Sequence, residues 1–209
     1  MTDTAMTGAA DLLAHGTATL CEAWPSATLI DRPLRPLAPG MALAGPALPV
    51  ICQPGDNLAL HLAIAAARPG DVLVVDYGGS LASGPFGEVM ALACTLRGIA
   101  GLVIDGAVRD SAQIAAMGFP VFCAGLNIRG TTKRHPGTIG APITLGGATI
   151  RPGDIILADA DALVCLPASD LAPALAAAAT RTEKEARMMD RLRAGETTLQ
   201  ILGLNGATP

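Results

Sequence analysis

Apolar residues in this chain come in short blocks closed by Gly, Pro or Asp rather than in long runs. Val72-Leu73-Val74-Val75-Asp76, Gly101-Leu102-Val103-Ile104-Asp105, Pro120-Val121-Phe122-Cys123-Ala124, Ile155 to Asp159 and Ala162 to Leu166 read as buried strands, because each is apolar at successive positions and bounded by turn residues. Helical segments alternate with them: Leu58 to Ala67, capped by Asp56 or Asn57, then Val89 to Arg97 and Ser111 to Met117. Residues 8–24 predict one or two short helices, with Thr17 and Thr19 as caps. Ile30 to Pro36 reads as extended, since Pro33 and Pro36 forbid a regular helix. Met41 to Cys52, interrupted by Gly45, Pro46 and Pro49, predicts a broken or edge strand.

Three polar stretches complete the pattern. Tyr77 to Gly87 predicts a glycine-rich loop, Thr131 to Pro142 a polar loop, and Ile143 to Ile150 a hairpin turning at Gly146-Gly147. Arg68-Pro69-Gly70-Asp71 and Arg151-Pro152-Gly153-Asp154 each precede an apolar run ending in aspartate, so one turn-then-strand device is used twice. From Ser169 a helix is expected to about Ala194, Ala-rich at first and charged afterwards, its polar end facing water or a neighbouring subunit. Alternating strands and helices predict an α/β fold, a layered or barrel-like mixed sheet with helices outside.

The 209 residues fit one domain, 1–209, with the C-terminal helix at about 169–194 and a tail at 195–209. With 51% hydrophobic but only 2% aromatic residues, the core must be built from Ala, Val, Leu and Ile. The mean hydropathy of +0.46 raises the question of a membrane. Arg, Asp, Pro or Gly interrupts every apolar segment before the roughly 18 residues a span requires, so no membrane segment is expected. The N-terminus has no basic stretch followed by a long apolar one, and a cytoplasmic location is expected. A net charge of −4 removes the electrostatic footprint for nucleic acid, and one Trp, one Tyr and three Phe leave little on which bases could stack. The five cysteines contain no CxxC pair and read as buried reduced thiols. His15, His61 and His135 have no metal-ligand spacing; His61 falls on a helix face and His135 in a loop.

The chemistry concentrates between Gly84 and Asp110. Glu88 stands at a helix entrance and Arg109-Asp110 just past a strand end, so helix and strand bring them to one edge of the sheet, where α/β proteins bind ligands. Two carboxylates suit a hard divalent cation that keeps several waters. An arginine offers a fork of donors to a carboxylate or enolate oxygen, and the first-turn amides of Val89 and Met90 suit a second anionic group. These parts make a site for a small 2-oxo acid. Plainer readings of the same residues are Asp110 or Ser111 as a helix N-cap, Glu88 as an acid favoured by the helix dipole, and Arg109 paired with a surface carboxylate. Asp159 and Asp161 read as a turn. A Schiff-base route is disfavoured, since the only lysines, Lys133 and Lys184, lie in a polar loop and a charged helix.

The segment GEVMALACTLRGIAGLVIDGAVRD closely resembles the core of the RraA-like family, which includes divalent-metal-dependent 4-hydroxy-4-methyl-2-oxoglutarate aldolases. TATLCEAW, GDVLVVDYGG and PGDIILADADALVCLP extend the resemblance over most of the chain. Those aldolases carry an acidic residue, twenty intervening residues and then Arg-Asp. Glu88, Arg109 and Asp110 match, with Glu where Asp is more usual, which keeps the charge and lengthens the reach.

The resemblance implies a single β/β/α layered, swivelling-type domain with a C-terminal helix. It further implies Mg²⁺ or Mn²⁺ anchored by Asp110, with Glu88 acting through water. Arg109 would polarise the 2-oxo group, and Gly87, Val89 and Met90 would hold the pyruvyl carboxylate. Homotrimers or homohexamers with sites between subunits are implied as well, Glu183 or Glu185 being the candidate acid from the neighbour. The implied activity is cleavage of 4-hydroxy-4-methyl-2-oxoglutarate or a related 4-hydroxy-2-oxo acid to pyruvate and a second oxo acid, with oxaloacetate decarboxylation. The alternative is a non-catalytic regulator that binds a ribonuclease; retention of Asp110 favours the enzyme. A methyltransferase reading fails for want of a glycine-rich turn followed by an acidic ribose-binding residue.

Overall fold

The structure, a computed structural model, describes residues 2–204. In chain order its elements are α1 (Thr2–Leu13), α2 (Thr17–Ala23), β1 (Thr28–Leu29), β2 (Arg35–Pro36), β3 (Leu43–Ile51), α3 (Leu58–Ala66), β4 (Val72–Ser80), α4 (Glu88–Leu96), β5 (Gly101–Val108), α5 (Ser111–Met117), β6 (Val121–Leu126), β7 (Thr138–Ile139), β8 (Ile143–Leu145), β9 (Ala148–Ile150), β10 (Ile155–Ala158), β11 (Leu163–Leu166), α6 (Leu171–Arg193) and α7 (Thr198–Leu202). The apolar blocks form a nine-stranded mixed sheet in the order β1-β11-β10-β3-β4-β5-β6-β2, with β7 paired to β3; β8 and β9 make a separate hairpin. The α/β layering expected from the sequence is present, and so is the C-terminal helix.

Strand β3 corrects an expectation. It is a continuous strand inside the sheet, neither broken nor at an edge. Its prolines are tolerated because the strand changes partners. Residues Leu43 to Pro46 pair antiparallel with β10, and Ala47 to Ile51 pair parallel with β4. The Pro49 carbonyl accepts from Gly140 at 2.9 Å on the side away from β4, so the N–H that proline lacks is missed only there. Gly45 sits at the changeover because a side chain would collide with the Gly70 carbonyl.

The two Arg-Pro-Gly-Asp turns are the same object. In each the aspartate Oδ2 accepts the arginine N–H at 2.8 Å, and the glycine adopts positive φ, 87° at Gly70 and 85° at Gly153. Strands β4 and β5 outrun their expected ends, to Ser80 and Val108, which carries the start of the glycine-rich loop into the sheet. The loop at Thr131 to Pro142 includes the short β7. Helix α7, capped by Thr197 and Gln200 in a reciprocal capping box, lies in the stretch expected to be a tail.

Three apolar clusters fill the molecule. Helices α3, α4 and α5 cover one face of β4, β5 and β6. The β8–β9 hairpin, with Ile30 and Leu34, covers the other face. Helices α1, α2 and α6 cover β10 and β11. Cys52, Cys94, Cys123 and Cys165 are buried, and burial pushes Cys52, Cys94 and Cys165 up to about 12, so these thiols stay protonated.

Asp159 fastens the third cluster. Its carboxylate accepts the Thr17 amide at 2.8 Å and the Thr17 hydroxyl at 2.7 Å, and also closes the expected turn through Asp161 and Ala162. Desolvation opposes its ionisation, but these hydrogen bonds prevail and hold its pKa below the usual range. Asp159→Ala strands the buried Thr17 hydroxyl and is expected to cost about 1–3 kcal/mol in urea unfolding at neutral pH. Because the folded pKa is depressed, that stabilisation is complete above about pH 4 and fades as pH falls through the folded value. The gap between wild type and variant therefore narrows in acid.

Candidate metal and substrate site

Strand β5 is buried along its whole length and delivers two polar residues to the sheet edge as it ends. The Arg109 N–H bonds the Phe86 carbonyl at 2.9 Å, and the Asn127 N–H bonds the Val108 carbonyl at 2.9 Å. Phe86 is buried and stacks on Phe119 with ring centroids 6.0 Å apart, which fixes the approach to α4. Asp110 then turns the chain into α5 at φ 56°, ψ 40° and is the one non-glycine residue with positive φ among the described residues. A side chain in that region is strained by about 1–2 kcal/mol, and such strain is typical of functional positions.

Asp110 occupies the N-cap position of α5, as its plainer reading expects, but not as a side-chain cap. Its side chain makes no capping bond to α5. Instead Oδ2 accepts the N–H of Glu88, the first residue of α4, at 3.0 Å, with the Arg109 Nε 3.6 Å from the same oxygen. Gly87 is required because a Cβ there would strike the Asp110 carboxylate and the Arg109 side chain, and Gly84 because one would strike the Asn127 carbonyl. Glu88 is exposed at the mouth of the helix.

Beside this junction is a cleft of about 220 Å³. Gly87, Val89, Met90 and Arg109, all expected to bind substrate, line it together. One detail changes. The Met90 N–H is already given to the Gly87 carbonyl at 3.1 Å, and the Glu88 N–H to Asp110. Of the first-turn amides only that of Val89 has no acceptor among the described residues, so one free amide replaces the expected pair.

The same cleft holds Asn57, His61 and Lys133, which sequence reasoning left out. Asn57 and His61 stand four apart at the start of α3, a spacing that puts both on one helix face, and this was the available signal. For Lys133 there was none beyond lysine's rarity. The Asn57 Nδ2 donates to the Pro85 carbonyl at 2.9 Å, while its Oδ1 is buried without a partner. An unmet acceptor in the wall of a cleft is a place for a ligand or water donor. Desolvation, then the charge of Lys133, pushes the His61 pKa below its ordinary value and favours the neutral imidazole.

The donor set suits a hard cation. Among the described residues no group of three or more His, Cys, Asp or Glu could close around a metal. Asp110 and Glu88 offer oxygen ligands at an exposed edge, in keeping with Mg²⁺ or Mn²⁺ retaining much of its water shell. Glu183 and Glu185 do not join this site within one chain. They lie on α6, which packs on α1 and α2 over the β10–β11 end of the sheet, and they pair with Arg187 at 3.7 Å and Arg181 at 2.9 Å. A larger polar hollow, about 580 Å³, opens near Asp76 and the β8–β9 turn, but its buried Asp105 is satisfied by Arg32. No helix among the described residues is long and apolar enough to cross a membrane.

Known proteins resemble this chain in sequence and in fold. The family model RraA-like (Aldolase/RraA) matches residues 17–165. A protein of Halalkalibacterium halodurans named "Putative 4-hydroxy-4-methyl-2-oxoglutarate aldolase" is 41% identical over 152 residues, 72% of each chain. The crystal structure of an uncharacterized Pseudomonas syringae protein superposes with a TM-score of 0.84 at 26% identity, over 96% of this chain and 93% of that one. The RNA-processing inhibitor RraA from Thermus thermophilis superposes with a TM-score of 0.68 at 26% identity, over 72% of this chain and 92% of its own. With a family match running from Thr17 to Cys165 and a relative this similar, the chain belongs to the RraA-like family.

Proposed function

We propose that this protein is a divalent-metal-dependent lyase that cleaves a 4-hydroxy-2-oxo acid to pyruvate and a second oxo acid, and that also decarboxylates oxaloacetate. The observation that carries the reading is the junction itself: Asp110 held in strained backbone against the start of α4, with Arg109 and Val89, whose amide is free, lining the cleft beside it. Asp110 and, through water, Glu88 would hold a divalent cation, which would supply Lewis acidity to the 2-oxo group. Arg109 donates to the 2-oxo oxygen and stabilises the charge that gathers there as the C4 hydroxyl gives up its proton to solvent, C4 becomes the carbonyl of the second oxo acid, the C3–C4 bond breaks and pyruvate leaves as its enolate. The Val89 amide, at the positive end of α4, receives the substrate carboxylate. Oxaloacetate loses carbon dioxide by the same electron flow.

At the other end of the cleft, the Lys133 ammonium is suited to a second carboxylate, and the unmet Asn57 Oδ1 to a hydroxyl or water donor. This favours substrates carboxylated beyond C3, such as 4-hydroxy-4-methyl-2-oxoglutarate and 4-carboxy-4-hydroxy-2-oxoadipate. The proposed assembly is a homotrimer or homohexamer. Val89 and Leu96 are each 79% exposed along one flank of α4, and Ile128, 90% exposed, stands after the end of β6. Apolar patches this bare, next to a site, fit burial by another subunit, whose Glu183 or Glu185 would complete the metal's surroundings. A regulatory role like that of the RraA inhibitor is the second reading, and it leaves the strain at Asp110 without a purpose.

Pyruvate release from oxaloacetate, corrected for free metal, is expected with Mg²⁺ or Mn²⁺ and to vanish with excess chelator. Asp110→Ala and Arg109→Ala should each lower it by about a thousand-fold or more. Glu88→Asp should be tolerated and Glu88→Ala damaging; equal rates in all three would reduce Glu88 to a helix-dipole residue. Absence of release with either metal would favour the regulator.

Strain and chemistry at position 110 separate in a second measurement. Asn tolerates left-handed backbone and Ala does not, so Asp110→Asn and Asp110→Ala should both be inactive while Asp110→Ala is less stable in urea unfolding by about 1 kcal/mol. Lys133→Met should raise KM for 4-carboxylated aldols about ten-fold with kcat little changed, the pattern of binding energy lost equally from ground and transition states.

A further inference from the structure

The far wall of the cleft is built from two pieces of chain distant in sequence, the start of α3 with Asn57 and His61, and the loop with Lys133. One side chain joins them. Asp56 is 1% exposed, and both of its carboxylate oxygens are committed. Oδ1 accepts the N–H of Leu58, the first residue of α3, at 2.9 Å. Oδ2 accepts the Thr132 hydroxyl and, at 2.7 Å, the Arg134 N–H. The residues on either side of Lys133 are thus tied to one oxygen, while Lys133 itself lines the cleft.

Main-chain bonds repeat the link. The Thr132 N–H reaches the Gly55 carbonyl at 2.9 Å, and the Asn57 N–H reaches the Thr132 carbonyl at 3.0 Å. The Gly55 N–H donates to the buried Tyr77 hydroxyl at 2.7 Å, which lies 3.0 Å from the Ser83 Oγ. This anchors the joint to β4. Burial works against ionising Asp56, but the Thr132 hydroxyl and the Leu58, Arg134 and His135 amides outweigh it and hold the carboxyl well below the usual range. A helix cap needs one oxygen at the helix start. A buried carboxylate that also grips both neighbours of a lysine 77 positions further along exceeds that need.

We infer that Asp56 is a positioning residue: it fixes Lys133 against the start of α3 so that the Lys133 ammonium grips the distal carboxylate of a 2-oxo diacid. This rests on the reading of the cleft as a 2-oxo acid site. Asp56 touches no substrate and acts through Lys133.

The test uses the full chain with Mg²⁺ and two probes. 2-Oxoglutarate carries a distal carboxylate and lacks the 4-hydroxyl needed for cleavage; pyruvate has no distal carboxylate. Calorimetry on wild type is expected to give a 2-oxoglutarate Kd about ten-fold below that of pyruvate. Asp56→Asn and Lys133→Met should each abolish that margin, the double variant should lose no more than either, and pyruvate affinity should move less than about two-fold. Thr132→Val, a surface change that threatens folding less, should narrow the margin several-fold. Hydrogen exchange in residues 131–135 should quicken in Asp56→Asn and stay at the wild-type rate in Lys133→Met.

An unchanged margin in Asp56→Asn or Thr132→Val, or a full Asp56→Asn effect persisting in Lys133→Met, would overturn the assignment. Quickened exchange in Asp56→Asn, with no 2-oxoglutarate preference in wild type, would instead overturn the substrate reading and the distal grip with it. The tether alone would then stand.

Discussion

A carboxylate can take the first amide of a neighbouring helix only if its own chain turns sharply on leaving the strand. Asp110 makes that turn in left-handed backbone and receives the Glu88 N–H. Much of the site depends on this one bond. It sets the start of α4 against the end of β5, requires glycine at 87, directs the Arg109 side chain to the cleft, and leaves the Val89 amide free. The surrounding packing supplies the force that keeps the strained residue in place. β5 is buried end to end, and Phe86 is locked against Phe119 just before the helix begins. A preorganised site needs such rigid support, because donors loose by an ångström lose much of their effect.

The two ends of the cleft are held by different means. At the Asp110 end, position is set by backbone geometry and by glycines that admit close approach. At the Lys133 end it is set by a buried charge whose hydrogen bonds cross between distant segments. A backbone-built end fits the part of a substrate that never changes, here the pyruvyl half. A side-chain-built end can be altered residue by residue, which suits the part that differs between substrates.

Local chemistry made much of this readable in the sequence. Ser111 to Met117, the Gly146-Gly147 hairpin and the paired Arg-Pro-Gly-Asp turns follow from turn and cap residues alone. Gly87, Val89, Met90 and Arg109 do share one cleft, because a short helix followed by its returning strand returns its ends to one edge. What escaped depends on partners remote in sequence. Pro46 and Pro49 argue for an edge strand until β10 and β4 are seen to divide β3 between them. Lys133 reads as a solvated loop residue until Asp56 is seen to hold its neighbours. The Met90 amide is used up by a tight first turn that no residue pattern announces.

The divided strand has a consequence for how the protein can vary. β3 is a seam: on one side lie α3, α4, α5 and the cleft, on the other β10, β11 and the terminal helices α1, α2 and α6. Helices α3, α4 and α5 and helices α1, α2 and α6 pack in separate clusters, while the sheet face under the β8–β9 hairpin joins β4, β5 and β6 to β10 and β11. Changes on the outer faces of the terminal helices leave the packing of the cleft within one chain untouched, but α6 also carries Glu183 and Glu185, the acids proposed to reach a neighbour's site. The outer half thus bears on what the molecule associates with and, through that association, on the chemistry of the inner half.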